Sequence, residues 1–217
     1  ALEHYQKALD IREKELNPEH VDLAISYHNI GKVYLANGNL NKALELFKNS
    51  QKIYTKKLAN QGPDEELVSG EADNYYRIGQ VHLAKGENQE AIKYIKFALG
   101  SRGRIGEIPP HFDASCHKDI AYAQYFLGQQ IEALDSAREA RAIEDKSLNY
   151  IPSFASERER LAYQRTLGPF SLMGTLGSAP DLASAILHYK GVVLSSILED
   201  QVIAQASHDP AIRGLVD

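Results

Sequence analysis

Residues 30–38 read I-G-K-V-Y-L-A-N-G, residues 78–86 read I-G-Q-V-H-L-A-K-G and residues 120–128 read I-A-Y-A-Q-Y-F-L-G. In each, a small residue stands second, apolar residues recur at helical spacing and a glycine closes the block. A second block follows each: A-L-E-L-F-K-N-S from Ala43, A-I-K-Y-I-K-F-A from Ala91 and A-L-D-S-A-R-E-A from Ala133, with A-L-E-H-Y-Q-K-A already present from Ala1. The spacings of these second blocks are 42, 48 and 42 residues. Two amphipathic helices per period, repeated, describe units that stack to share a core. Gly31, Gly79 and Ala121 are expected to let the first helix of a pair approach the second, with Ala43, Ala91 and Ala133 facing them. Gly38, Gly86 and Gly128 suit the left-handed residue that ends a helix. The six extra residues of the 48-residue spacing are assigned to a loop, G-S-R-G-R-I-G-E-I-P-P, residues 100–110.

The repeats resemble the tetratricopeptide repeat. The pattern is fullest from about His20 to Leu58, through Tyr27, Ile30, Gly31, Tyr34, Gly38, Ala43 and Phe47. The next unit keeps Tyr75, Ile78, Gly79, Gly86, Ala91 and Ile95 but has His82 in the second aromatic slot. The proline that usually closes a unit is replaced by Glu13, Thr55, Gly103 and Asp145. The helix is expected to run on through I-R-E-K-E-L and I-Y-T-K-K-L, and with N-P-E-H-V-D-L-A from Asn17 this resembles the 42-residue variant of kinesin light chains. The resemblance implies an all-α fold, a right-handed tetratricopeptide superhelix (α-solenoid) of antiparallel helix pairs over residues 1–148, half a unit plus three. Starting on a second helix, the array is expected to have had further units before it. Non-repeat helices forming a cap or connector are expected over 149–217.

The 217 residues carry 24 Lys and Arg against 29 Asp and Glu, a net charge of −5. No basic excess favours nucleic acid or an anionic membrane. No apolar run approaches the roughly 20 residues of a membrane span. The single cysteine, Cys116, excludes an intrachain disulfide framework, and a cytoplasmic location is expected.

In the repeat register, the first helices present Ile25, His28, Asn29, Lys32 and Leu35, then Asp73, Tyr76, Arg77, Gln80 and Leu83, then Ser115, Lys118, Asp119, Tyr122 and Tyr125. The resemblance makes this the lining of a concave groove that binds a peptide or protein. Asn29 stands where such arrays hold a peptide backbone, and Lys32, Arg77 and Lys118 could pair with carboxylates. Arg77 and Asp119 replace asparagine in the later units.

Three motifs invite a catalytic reading. Ser115 and Lys118 form S-x-x-K without companion motifs. Cys116 and His117 are adjacent, and so diverge by about 100 degrees on a helix. His117 is expected to pack in the core instead. The glycines of residues 100–106 follow no strand, as a phosphate loop would require. No enzyme activity, metal or cofactor is expected of this chain. The charged runs I-R-E-K-E-L and S-E-R-E-R-L are read as solvated helix faces.

Beyond Leu148 the register fails. Ser156 and Glu159 form a capping box, Gly168-Pro169 ends that helix, Pro180 opens another carrying Leu182, Ile186, Tyr189, Val193 and Ile197, and Asp209-Pro210 opens one more. The blocks S-E-R-E-R-L-A-Y-Q-R-T-L-G-P from Ser156, H-Y-K-G-V-V-L-S-S-I-L-E-D from His188 and A-S-H-D-P-A-I-R-G-L from Ala206 resemble the connector between tetratricopeptide arrays and the CHAT domain, a caspase-like peptidase fold. That resemblance implies a recognition and regulatory arm of a larger CHAT-domain protein, its peptidase further along the chain. The alternative is a stand-alone adaptor or scaffold of kinesin-light-chain type.

Overall fold

The glycines at the helix ends do what their positions require. Gly38, Gly86 and Gly128 have φ of 75, 75 and 78°, the left-handed region that costs other residues about 1 kcal/mol or more. In each turn the glycine N–H returns to the carbonyl two residues before the cap, and the next N–H reaches one residue further back: Gly38 to Leu35 at 3.0 Å, Asn39 to Tyr34 at 2.9 Å. The same two bonds recur at Gly86 and Glu87 and at Gly128 and Gln129. This double closure satisfies the last carbonyls and reverses the chain within three residues. Asn39 then caps the following helix, its side chain accepting from the Lys42 N–H.

The structure, a computed structural model, describes residues 2–148, the side chains through Lys146. They form α1 (Leu2–Glu15), α2 (Val21–Ala36), α3 (Leu40–Gln61), α4 (Glu65–Ala84), α5 (Asn88–Arg102), α6 (Pro110–Phe126) and α7 (Gln130–Leu148). No strand occurs among the described residues. Helices α2 and α3, α4 and α5, and α6 and α7 are the pairs, with α1 the second helix of a half unit; α1, α3 and α5 each also pack on the first helix of the next unit. In addition α2 touches α4 and α4 touches α6, so the first helices form the tighter side of an all-α solenoid. The capping box at Ser156, the helix expected after Pro180 and the connector-like blocks lie outside the described residues.

The small residues of the first helices receive large side chains. A methyl group on Gly31 would lie 2.8 Å from Phe47 Cε1, and one on Gly79 would lie 2.6 Å from Ile95 Cγ1. The groups over these glycines are thus Phe47 and Ile95, one helical turn beyond the alanines expected there, although Gly79 also meets the carbonyl of Ala91. In the third pair Ala121 takes the place of glycine and packs with Ala137 where the others have Phe47 and Ile95. The larger residue on one helix is compensated by the smaller on the other. Full burial of Phe47 contributes about 2 kcal/mol or more. Tyr5, in the Phe47 register of α1, is 44% exposed against 0% for Phe47, because no first helix precedes α1 among the described residues.

The six extra residues do not lie in the 100–110 segment. They lie between Ala43 and Ile78, where α3 runs to Gln61 and α4 starts at Glu65, so the insertion lengthens a helical hairpin. Gly70 in α4 admits the Tyr54 ring from α3, with no room for a methyl group. The segment after α5 folds inward: Ile105 and Ile108 pack on core clusters, and Arg104 pairs with the buried Glu71 carboxylate, which also accepts hydrogen bonds from Ser101 and Thr55.

The missing unit-closing proline is explained by hydrogen bonding. Tyr27 donates to Glu13 at 2.7 Å, and Tyr75 in the next unit lies against Thr55 and Gln51. Glu13 and Thr55 occupy the proline register, so a polar residue there anchors the first aromatic of the following unit. Gly103 offers no such group. His117, in the same slot, instead meets Asp113 at 3.3 Å and Glu139 at 2.9 Å. The core role expected for His117 is therefore not what the fold uses, since a half-buried imidazole between two carboxylates ties α6 to α7.

Candidate functional site: the first-helix face

The residues expected to line a groove all lie on α2, α4 and α6, and they divide into three sets. One set joins the first helices to one another. His28 Nδ1 is 3.2 Å from Asn74 Oδ1, and Asn74 Nδ2 donates to the Gly70 carbonyl. That bond turns the Asn74 oxygen toward the imidazole, so Nδ1 of His28 carries the proton. Further along, Arg77 donates to Gln80 at 2.7 Å, and Gln80 donates to Asp119 at 3.2 Å. The Tyr76 hydroxyl also faces Asp119, while its ring meets Phe112 edge-on at 5.4 Å. Burial lowers the His28 pKa and raises that of Asp119.

A second set turns away from the face. Lys118 pairs at 2.9 Å with Glu144 of α7, whose side chain is only 3% exposed. The amine is thus committed to a buried carboxylate. The Ser115 hydroxyl donates to the His111 carbonyl at 2.7 Å, so Ser115 and Lys118 make no nucleophile and base pair. Cys116 is fully buried, in the register of Ser26 and Asn74, and burial pushes its thiol well above the ordinary range, which opposes thiolate chemistry. Asp73 meets Arg102 at 3.8 Å, and Leu35 packs on the cluster of Phe47 and Ile78.

The third set stays open. Asn29 and Lys32 have no side-chain partner among the described residues, and Lys32 is exposed. Arg77 uses one donor on Gln80 and lies 5.7 Å from the Tyr76 ring centre, which leaves other guanidinium donors available. Lys32 and Arg77 both act on the His28 imidazole, so both cations sit near it, between α2 and α4. Tyr122 and Tyr125 are half-buried on α6. Asn74, the residue that completes the first rung, was not among the expected residues. Its signal was its place one residue before the first aromatic, where a polar side chain is buried between helices.

Comparison with known proteins agrees with this architecture. Residues 1–56 match the tetratricopeptide repeat family model, and residues 72–102 match a second model of the same repeat. The chain carries tetratricopeptide repeats. No curated protein matches it by sequence. Among solved structures it is similar to a Podosopora anserina chain, named for a kinesin light chain, with nearly identical TPR-like repeats. Two crystal structures of that chain share 21 and 22% identity with TM-scores of 0.63 and 0.61, each covering 88% of this chain and 84% of the other. MamA is similar at 17% identity and a TM-score of 0.50, over 91% of this chain and 87% of that one. At these identities the likeness concerns the fold: a right-handed superhelix of antiparallel helix pairs.

Proposed function

We propose that the chain is a protein-interaction module that holds a peptide or protein segment across the concave face of α2, α4 and α6, with Asn29, Lys32 and Arg77 as its polar contacts. The observation that carries this reading is that Asn29 and Lys32 are left without partners beside Arg77 on a face whose other polar groups are nearly all engaged. An amide and two cations suit an extended backbone bearing a carboxylate. Tyr76 and Asp119 join α4 to α6, so replacing them would shift the helices relative to one another, and the informative variant is Asn29→Ala with Lys32→Ser and Arg77→Ser. Against peptides selected from a random dodecapeptide display library, this variant is expected to bind at least tenfold more weakly with unchanged circular dichroism. Equal affinity would remove the groove.

The wider setting is a proposal of the same kind: the module serves as the recognition arm of a larger CHAT-domain protein, in the cytoplasm. The three connector-like blocks after Ser156 support it. Sequencing the transcript past the codon for Asp217 tests it: a following domain with its own histidine and cysteine supports the regulatory arm, and an early stop codon sinks it. The adaptor reading rests on the 42-residue spacing and on α1 and α3 running past the proline register.

A further inference from the structure

The turn between α6 and α7 differs from its two counterparts in a way the fold does not require. Phe126, Leu127 and Ile131 are 68, 37 and 77% exposed. In the same register the other turns carry Ala36, Asn37 and Asn41, then Ala84, Lys85 and Gln89. All three turns close with the same pair of backbone hydrogen bonds, so three large apolar residues are unnecessary for the reversal. Exposing them has a cost in water that polar residues at the same positions avoid.

The patch also continues a surface already described. The Phe126 ring meets that of Tyr125 edge-on at 5.6 Å, and Tyr125 and Tyr122 belong to the first-helix face. Its charged border is one-sided: Glu132, exposed in the first turn of α7, has no cationic partner among the described residues, whereas the open cations Arg77 and Lys32 lie on α4 and α2, one and two first helices away.

We propose that Phe126, Leu127 and Ile131 form an anchoring subsite for a partner polypeptide that presents an aliphatic or aromatic residue next to a basic one, the basic residue meeting Glu132. The subsite rests on the groove reading given above and sets the direction of the bound segment, with its apolar and basic end at the α6–α7 turn and its acidic end toward Lys32 and Arg77. Apolar contact supplies affinity and the two opposite charges supply register.

The test exchanges the turn for that of the preceding unit: Phe126→Ala, Leu127→Lys and Ile131→Gln. These residues already occupy an identical turn in this chain, so the helicity and melting temperature are expected to stay as they are. Dodecapeptides enriched by display on the full chain are then measured by fluorescence polarisation. Support is an enriched motif pairing a large apolar residue with Lys or Arg, and a loss of at least tenfold in affinity for the exchanged turn. Affinity kept within twofold in the exchanged turn, but lost in the Asn29, Lys32 and Arg77 variant, overturns the subsite and leaves the groove standing. Loss in the exchanged turn alone keeps the apolar anchor at the α6–α7 turn but overturns the groove and, with it, the direction assigned to the bound segment. No enriched peptide overturns both. A dimer in sedimentation that the exchanged turn converts to monomer assigns the patch to a second copy of the chain and overturns the proposal.

Discussion

A methyl group on Gly31 would sit 2.8 Å from the Phe47 ring, closer than carbon atoms approach without strain, in a buried position. Gly31→Ala is therefore expected to cost about 1–3 kcal/mol, measured by urea unfolding. In a Phe47→Ala background the same change should cost little, since Ala121 and Ala137 show that the two positions tolerate small residues on both sides. An equal cost in both backgrounds would refute the pairing. His28 gives a pH prediction. Burial holds its imidazole below the ordinary value, so as pH falls the unfolded chain takes up a proton before the folded one. Its contribution to stability is full above about pH 7 and is lost as pH drops through about 6.5 to the lower folded value. Asp119, raised by burial, acts with the opposite sign, in the wild type and in a His28 variant alike. The difference between wild type and His28→Gln isolates the first effect: melting temperature should fall less in the variant between pH 7.5 and 5, and parallel curves would dismiss it. The small residues and turn glycines were legible because their constraints are local and repeat. The α7 partners of Lys118 and His117, Glu144 and Glu139, were not, because contacts over 26 and 22 residues depend on how two helices are rotated against each other.

The six added residues show what a spacing can and cannot reveal. From a second-helix alanine to the next first-helix isoleucine there are 35 residues between Ala43 and Ile78 but 29 between Ala91 and Ile120, which locates the insertion in the hairpin of α3 and α4. The glycines and prolines of residues 100–110 drew the expectation elsewhere because they look like an inserted loop. That segment instead serves the core, bringing Arg104 to Glu71. The Glu71 side chain is 6% exposed and Arg104 is 47% exposed, so the pair lies between the buried and surface limits. Arg104→Ala is expected to lower stability by about 1–2 kcal/mol, read by chemical unfolding, because it leaves a buried carboxylate with hydroxyl donors alone. A loss within error would mean that Ser101 and Thr55 suffice.

Stacking makes each unit answer to its neighbours, and the fold class followed from that requirement once two helices per period were recognised. The proposed binding surface is harder to read, because one position in three units has two fates: His28 and Tyr76 join first helices, while Lys118 anchors α7. Repetition predicts where a side chain starts and says little about where it ends. Removing a joint between units should therefore change the course of the solenoid without unfolding it. Gln80→Ala with Asp119→Ala is expected to raise the radius of gyration in X-ray solution scattering while helicity is retained. An unchanged scattering curve would show that apolar packing alone sets the pitch.

The rungs between first helices carry a mechanical consequence. His28 to Asn74 and Gln80 to Asp119 lie along one edge of the stack, where first helix touches first helix. Bending that opens this edge stretches directional bonds of fixed length, whereas bending that closes it leaves them within bonding distance. The solenoid is thus a spring with unequal stiffness, firm against opening this edge and softer against closing it.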